Sequence, residues 1–120
     1  MRGLIIREPW IGKILAGEKT WEIRGSKTKI REPIALIRGG SGLVVGTCDL
    51  VDVVGPLSLK ELKANANKIG SQPSQLTELR YAATYAWVLS RVTPLKKPKH
   101  YEHPRGAVIW VKLKKIKGLS

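Results

Sequence analysis

Lys19, Glu22 and Arg24, in the stretch Gly17-Glu18-Lys19-Thr20-Trp21-Glu22-Ile23-Arg24, are the groups of this chain whose types and spacing invite chemistry. Read as a strand, residues 20–24 alternate, with Trp21 and Ile23 on one face and Thr20, Glu22 and Arg24 on the other. Successive side chains on one face of a strand stand roughly 6.5 to 7 Å apart. At that spacing Glu22 and Arg24 either pair or hold one small polar ligand between them, and Lys19, at the turn before the strand, can fold over the same surface. As a binding site, Glu22 accepts from an exocyclic amino group and Arg24 donates to a carbonyl or phosphate oxygen. As a catalytic site, Lys19 serves as a base with Glu22 as its partner, which requires burial to lower the lysine pKa by several units. The plain alternative is a solvated face with an incidental ion pair, worth under about 1 kcal/mol.

Other chemistries find less support. His100 and His103, with only Glu102 near them, lack the spacing of a zinc motif and read as surface histidines in a basic loop. The lone Cys48, set among Val44, Val45, Gly46, Thr47 and Leu50, reads as packing. There is no Gly-x-Ser-x-Gly nucleophile motif. Gly39-Gly40-Ser41-Gly42 is not followed by the Gly-Lys-Ser/Thr of a phosphate loop and reads as a hairpin turn. Neither a metal nor a cofactor is implied.

The elements that position the charged stretch follow from punctuation and period. In Glu8-Pro9-Trp10-Ile11-Gly12-Lys13-Ile14-Leu15-Ala16-Gly17, Pro9 suits the first helical position and Gly17 the stop. Ile11, Ile14 and Leu15 make the buried stripe, Lys13 falls away from it, and Trp10 lines the edge of the polar surface. A first strand is expected over residues 3–7, a buried strand over Ile34–Arg38, and a long β-branched strand over Leu43–Val54 with a bend at Gly46. Ser58 is the expected cap of a helix through Leu59, Leu62 and Ala66. Residues 65–74 read as irregular, Ser74 as the cap of a second helix over Gln75–Ala83, and Thr84–Val92 as a return to strand. A last strand is expected from Gly106 to about Ile116.

The electrical signal is strong: 22 Lys and Arg against 9 Asp and Glu give a formal charge of +13 in 120 residues. Such an excess resists compaction unless a polyanion is the usual company, and neutralised phosphates return affinity through released counterions. The charge clusters. Ser26, Lys27, Lys29 and Arg31 fall in a loop over residues 25–33 that reads as the lip of an anion site. Lys96, Lys97, Lys99 and Arg105 gather around Tyr101 in a proline-punctuated segment, residues 94–105, that reads as extended and able to stack and hold unpaired bases. Lys112, Lys114, Lys115 and Lys117 make the end of the last strand basic. No apolar run approaches the roughly 20 residues of a membrane span, and the first residues lack a signal-peptide layout. The expectation is a single-domain, monomeric, cytoplasmic protein, or a nuclear one in a eukaryote.

The Pro9-Trp10 opening followed by Gly17-Glu18-Lys19-Thr20-Trp21-Glu22-Ile23-Arg24 resembles the G-x-K-x-x-E-x-R signature of ASCH domains. The likeness continues through Tyr85-Ala86-Trp87-Val88-Leu89 and Pro104-Arg105-Gly106-Ala107-Val108-Ile109-Trp110-Val111, so it spans nearly the whole chain. The resemblance implies an α+β, mainly β fold: a PUA-like small β-barrel of five to six strands flanked by short helices, with Lys19, Glu22 and Arg24 lining a cleft. It also implies nucleic acid as partner, RNA before DNA, with the cleft recognising a nucleotide or modified base. The alternative it implies is an RNA-processing enzyme, a ribonuclease or an amidohydrolase acting on acetylated cytidine, with Lys19 and Glu22 catalytic. The amidohydrolase pattern has a threonine three residues after the lysine and a distant glutamate. Here Glu22 holds the first position, and residues 65–68 contain no carboxylate.

Overall fold

A computed structural model describes residues 1–114, so Lys115, Lys117 and the far end of the expected last strand lie outside the described residues. The chain runs β1 (Arg2–Ile6), α1 (Trp10–Leu15), β2 (Trp21–Arg24), β3 (Glu32–Arg38), β4 (Leu43–Val54), α2 (Leu59–Ala64), α3 (Ala66–Ile69), a 3-10 turn at Pro73–Gln75, β5 (Tyr85–His100) and β6 (Trp110–Lys112). The six strands form one mixed sheet in the order β2-β5-β4-β3-β1-β6. Its one parallel pair is β1 with β3, joined by the crossover that carries α1 and β2. The sheet curls into a half-barrel with β2 and β6 as its edges, the mainly β architecture expected.

Curling gives the sheet two apolar faces. On the concave side Leu4, Ile6, Ile34, Leu36, Val45, Cys48, Leu50, Trp87 and Leu89 enclose Ile11 and Ile14 of α1. The ring of Trp110 stacks on Trp87 at 5.7 Å between centroids, an arrangement worth about 0.5–1.5 kcal/mol beyond area burial. On the convex side Trp21 and Ala86 pack with Leu57, Leu62 and Ile69 from the region of α2 and α3. A third cluster joins Ala35, Ile37, Val44 and Val111. Strand β2 therefore has apolar packing behind it and the half-barrel interior before it.

Turn chemistry sets the elements near the site. Pro9 stands one residue ahead of α1, as its N-cap, and Gly17 takes φ +80 just after the helix. Proline has no side-chain cap to offer, and the Glu8 carboxylate accepts from the Gly12 N–H at 2.9 Å instead. Gly46 coincides with a register shift between Val44 and Gly46, and a Cβ there would lie 2.8 Å from Leu15 Cδ2. The bend in β4 is thus where α1 lands. Ser58 caps α2 with a full capping box to Glu61.

Several expectations are corrected, and the last strand, expected from Gly106, begins at Trp110. The first strand takes residues 2–6, and Pro33 lies inside β3. Residues 66–69, expected to be irregular, form the short helix α3, ended by Gly70 at φ +82. The helix expected over residues 75–83 is absent: Gln75 ends the 3-10 turn, and residues 76–84 are irregular. Its helix formers set only a weak local preference, and nine residues are too few to hold a helix without a buried face; only Leu76 packs on a core cluster. Finally, residues 94–100 do not cross the surface separately but continue β5, which pairs with β4 as far as Leu43 with His100. Pro94 and Pro98 are tolerated because β2 covers β5 only over Tyr85–Val88, leaving the rest an edge.

Candidate nucleic-acid interface

The edge strand β2 is short, and what it lacks in length it receives from α1, α3 and the 71–84 loop. Together with the end of β1 these bound a cleft of about 750 Å³. Its lining includes Ile5, Arg7, Trp10, Lys13, Glu22, Ile23, Arg24, Ile69, Glu78, Arg80, Tyr81, Thr84 and Val108.

At its floor the three charges of the signature meet. Arg24 donates to Glu22 Oε2 from Nε at 3.1 Å and from Nη2 at 2.8 Å, and Nη2 also donates to the Ile5 carbonyl at 2.8 Å. Arg24 thus ties β2 to β1 across the open side of the half-barrel. Glu22 Oε1 lies 3.7 Å from Lys19 Nζ, a Coulombic contact rather than a hydrogen bond. Lys19 donates to the carbonyls of Trp21 and Ile69. The side chains of Lys19 and Glu22 are 2 % and 8 % exposed, so the incidental solvated pair is ruled out. Burial of this depth makes the partners obligatory, because a buried charge that loses its counter-charge costs several kcal/mol.

Burial pulls the Lys19 pKa down from 10.5 to about 8, against the opposing pull of Glu22. The ammonium also lies 5.0 Å from the centre of the Trp10 ring, and Lys13 Nζ lies 5.2 Å from the same ring while donating to the Gly70 carbonyl. Trp10 thus lines the cleft with two cations on its π system, which orients it. Arg24 rests over Trp87 at 5.6 Å in the same way.

Five of the sequence-selected residues therefore converge: Trp10, Lys13, Glu22 and Arg24 line the cleft, with Lys19 buried at its base. Thr20 is exposed, its N–H donating to Lys68 and its carbonyl accepting from Leu89. Ser26 contributes a carbonyl that accepts from the Trp87 indole at 2.9 Å, while Lys27 and Lys29 stand exposed on the loop after β2. Lys96, Lys97 and Lys99 lie on the far half of β5 and Arg105 in the turn before β6, and none of these lines the cleft. Tyr101 packs its ring on the third apolar cluster and shares a 2.7 Å hydrogen bond with His103 Nδ1, so it is committed to the protein. Burial raises its phenol pKa. Burial likewise pushes the Cys48 thiol up to about 12, which keeps it an inert packing group. Among the described residues no three His, Cys, Asp or Glu side chains come together.

Several lining residues carry no signal in the sequence. Arg7 follows β1 immediately. Glu78, Arg80 and Tyr81 belong to the stretch whose composition reads as helix, and Thr84 to the start of the strand expected after it. Tyr81 packs so closely on Gly25 that a Cβ there would lie 2.6 Å from Tyr81 Cδ1, which anchors the loop to the end of β2. Thr84 is 2 % exposed and its hydroxyl has no hydrogen-bond partner among the described residues.

Comparison with known proteins places this geometry in context. A family profile described as "ASCH domain" matches residues 4–117. Crystal structures of an ASCH protein from Zymomonas mobilis share the fold. The unsubstituted protein superposes with a TM-score of 0.71 at 15 % identity, covering 95 % of this chain and 87 % of that one. A serine-to-alanine variant gives 0.70 at 16 % identity, with 95 % and 88 % covered. A tyrosine-to-phenylalanine variant gives 0.67 at 17 %, with 95 % and 90 % covered. Among curated proteins none matches the chain by sequence.

Proposed function

We propose, from the premise that this chain belongs to the ASCH domain family, that it binds RNA and that the β2 cleft receives a single nucleotide or unpaired base. The observation that carries the reading is the coincidence of a nucleotide-sized cavity with buried, oriented charge. A volume of about 750 Å³ falls among those of small-molecule sites, roughly 300–1,000 Å³. Arg7, Lys13, Arg24 and Arg80 offer cations to phosphate, Trp10 and Tyr81 offer faces to a base, and Glu22 Oε1 accepts no hydrogen bond among the described residues. A formal charge of +13 supplies the attraction that brings a polyanion to such a site.

The test is a fluorescence-anisotropy titration of a short single-stranded RNA at several salt concentrations. Affinity falls linearly in log–log form with salt, and Arg24→Ala weakens binding at every salt concentration. Absence of RNA binding, or binding that ignores salt, contradicts the proposal.

One observation favours a second reading as a hydrolase: a lysine with a pKa near 8 beside a carboxylate is a serviceable base. The hydrogen bonds weigh against it. Lys19 directs two protons at main-chain carbonyls and faces the third partner, Glu22, from below the cleft. In that position it holds Glu22 and β2 in place rather than meeting a substrate. Incubation with RNA and with acetylated cytidine, beside Lys19→Ala, separates the readings: turnover that disappears in the variant supports the hydrolase.

A further inference from the structure

The hydrogen bonds of β2 are unevenly used. Its register pairs Glu22 with Trp87 and Arg24 with Tyr85, and the Leu89 N–H donates to the Thr20 carbonyl at 2.8 Å. In an antiparallel ladder the bonded residues alternate, so the Thr20 carbonyl and the main-chain groups of Glu22 and Arg24 turn toward β5. Trp21 and Ile23 turn theirs to the opposite side, where no strand follows β2. The Trp21 carbonyl is taken by Lys19. The N–H and carbonyl of Ile23 have no partner among the described residues, and Ile23 lines the cleft.

We propose that this bare edge reads the base: the Ile23 N–H and carbonyl form the donor–acceptor pair that engages the Watson–Crick edge of the bound nucleobase. The inference rests on the reading that the cleft takes a base from RNA. A main-chain N–H and carbonyl on one residue are complementary to the adjacent acceptor and donor that uracil, cytosine, adenine and guanine each present. The Thr84 hydroxyl, buried without a partner in the same lining, adds a rotatable donor and acceptor that a ligand can satisfy. Unpaired main-chain groups facing a cavity are costly to leave dry, and a base supplies what a second strand neighbour would. A partner's β-strand is the other occupant a bare edge can take. Here the edge is too short for it: Lys19 and α3 close the start of β2, and Tyr81 covers Gly25 just past its end.

The experiment compares a six-nucleotide uridine RNA, which lacks competing base pairing, with the same RNA methylated at N3 of every uracil. The second substrate keeps its phosphates and loses the base edge. Each is titrated by anisotropy against the natural protein and against Ile23→Pro, which deletes one N–H on the side of β2 away from the ladder and is compatible with an edge strand. Methylation is expected to weaken binding by the natural protein roughly tenfold, the scale of one or two net hydrogen bonds. Ile23→Pro is expected to weaken the unmodified RNA by a similar factor and to be nearly indifferent to methylation. If the proline variant fails to fold, an amide-to-ester replacement at the Ile23 nitrogen removes the same donor and carries the same expectation. Equal affinity for the two RNAs overturns the inference while leaving RNA binding intact, as does an equal methylation penalty in both proteins. Failure of both RNAs to bind overturns the parent reading as well. Tighter binding of an extended peptide than of RNA would assign the edge to a protein partner and overturn the inference.

Discussion

The β2 cleft and the far half of β5 are built from the same kinds of charged residue held in different settings. In the cleft Lys19 and Glu22 are buried and Arg24 half-buried, each with named partners, and the group as a whole carries a single positive charge. On β5, Lys96 and Lys97 stand exposed, and no salt bridge involves them or Lys99 among the described residues. Fixed charges lose no solvation or side-chain entropy when a ligand arrives and so suit recognition. Free lysines repel one another, are screened by salt within about 8–10 Å, and suit capture of a polyanion at long range. The difference teaches that burial, more than residue type, decides which of the two settings suits recognition and which suits attraction.

The largest effect expected from breaking this contrast is at Glu22. Glu22→Ala leaves buried Lys19 and half-buried Arg24 without their counter-charge, and destabilisation of about 3–5 kcal/mol is expected, measured by denaturant unfolding at pH 7. Part of the loss is relieved by proton release from Lys19, whose pKa then drops further because Glu22 is what raises it. The same substitution of Glu for a surface partner such as Glu32, which pairs with Arg2 at 2.7 Å with both side chains 39 % exposed, is expected to cost under about 1 kcal/mol.

Next comes pH. Lys19 has a folded pKa near 8 against 10.5 when free, so below pH 8 both states hold the proton and the burial cost is fully present. Between about pH 8 and 10.5 the folded protein has released it while the unfolded chain still holds it, and stability rises with pH. The gain is up to about 3 kcal/mol, read from unfolding free energies across that range. Lys19→Met removes the rise, whereas Lys97→Met leaves it in place.

A smaller effect is expected at Gly25. Gly25→Ala sets a methyl against the Tyr81 ring, so the 76–84 loop shifts, with about 1–3 kcal/mol of overpacking strain and weakened RNA binding. Tyr81→Ala in the same background is expected to restore the stability lost. The smallest change in stability belongs to the surface: replacing Lys96, Lys97 and Lys99 together by Gln is expected to leave unfolding within about 0.5 kcal/mol. It lowers the salt slope of single-stranded RNA binding by about 2 if all three meet phosphate.

Much of this was legible in the sequence where local chemistry decides structure. The bounds of β4, the Gly17 stop, the Ser58 cap and the shared face of Glu22 and Arg24 all follow from period and punctuation. Lys19 was legible as a charge near the site but not as a buried one, because its burial depends on α3, more than forty residues on, supplying the Ile69 carbonyl. Residues 75–83 favour helix individually, while their tertiary role, walling the cleft through Tyr81, requires an open path. The prolines of β5 look like a break in strand until the register shows an unpartnered edge, where a missing N–H costs nothing. Ile23 gave no sign at all, since its contribution is main chain and depends on β2 being the end of the sheet.

The central claim is that a base enters the β2 cleft while the exposed lysines only attract the chain that carries it. An NMR titration of the ¹⁵N-labelled protein with the uridine hexamer tests it most directly, residue by residue. The account predicts the strongest shifts at the Ile23 amide, the Trp10 indole N–H and the Arg24 Nε–H, with weak, salt-sensitive shifts over residues 96–99. Shifts confined to residues 96–105, with Ile23 and Trp10 unmoved, would contradict it.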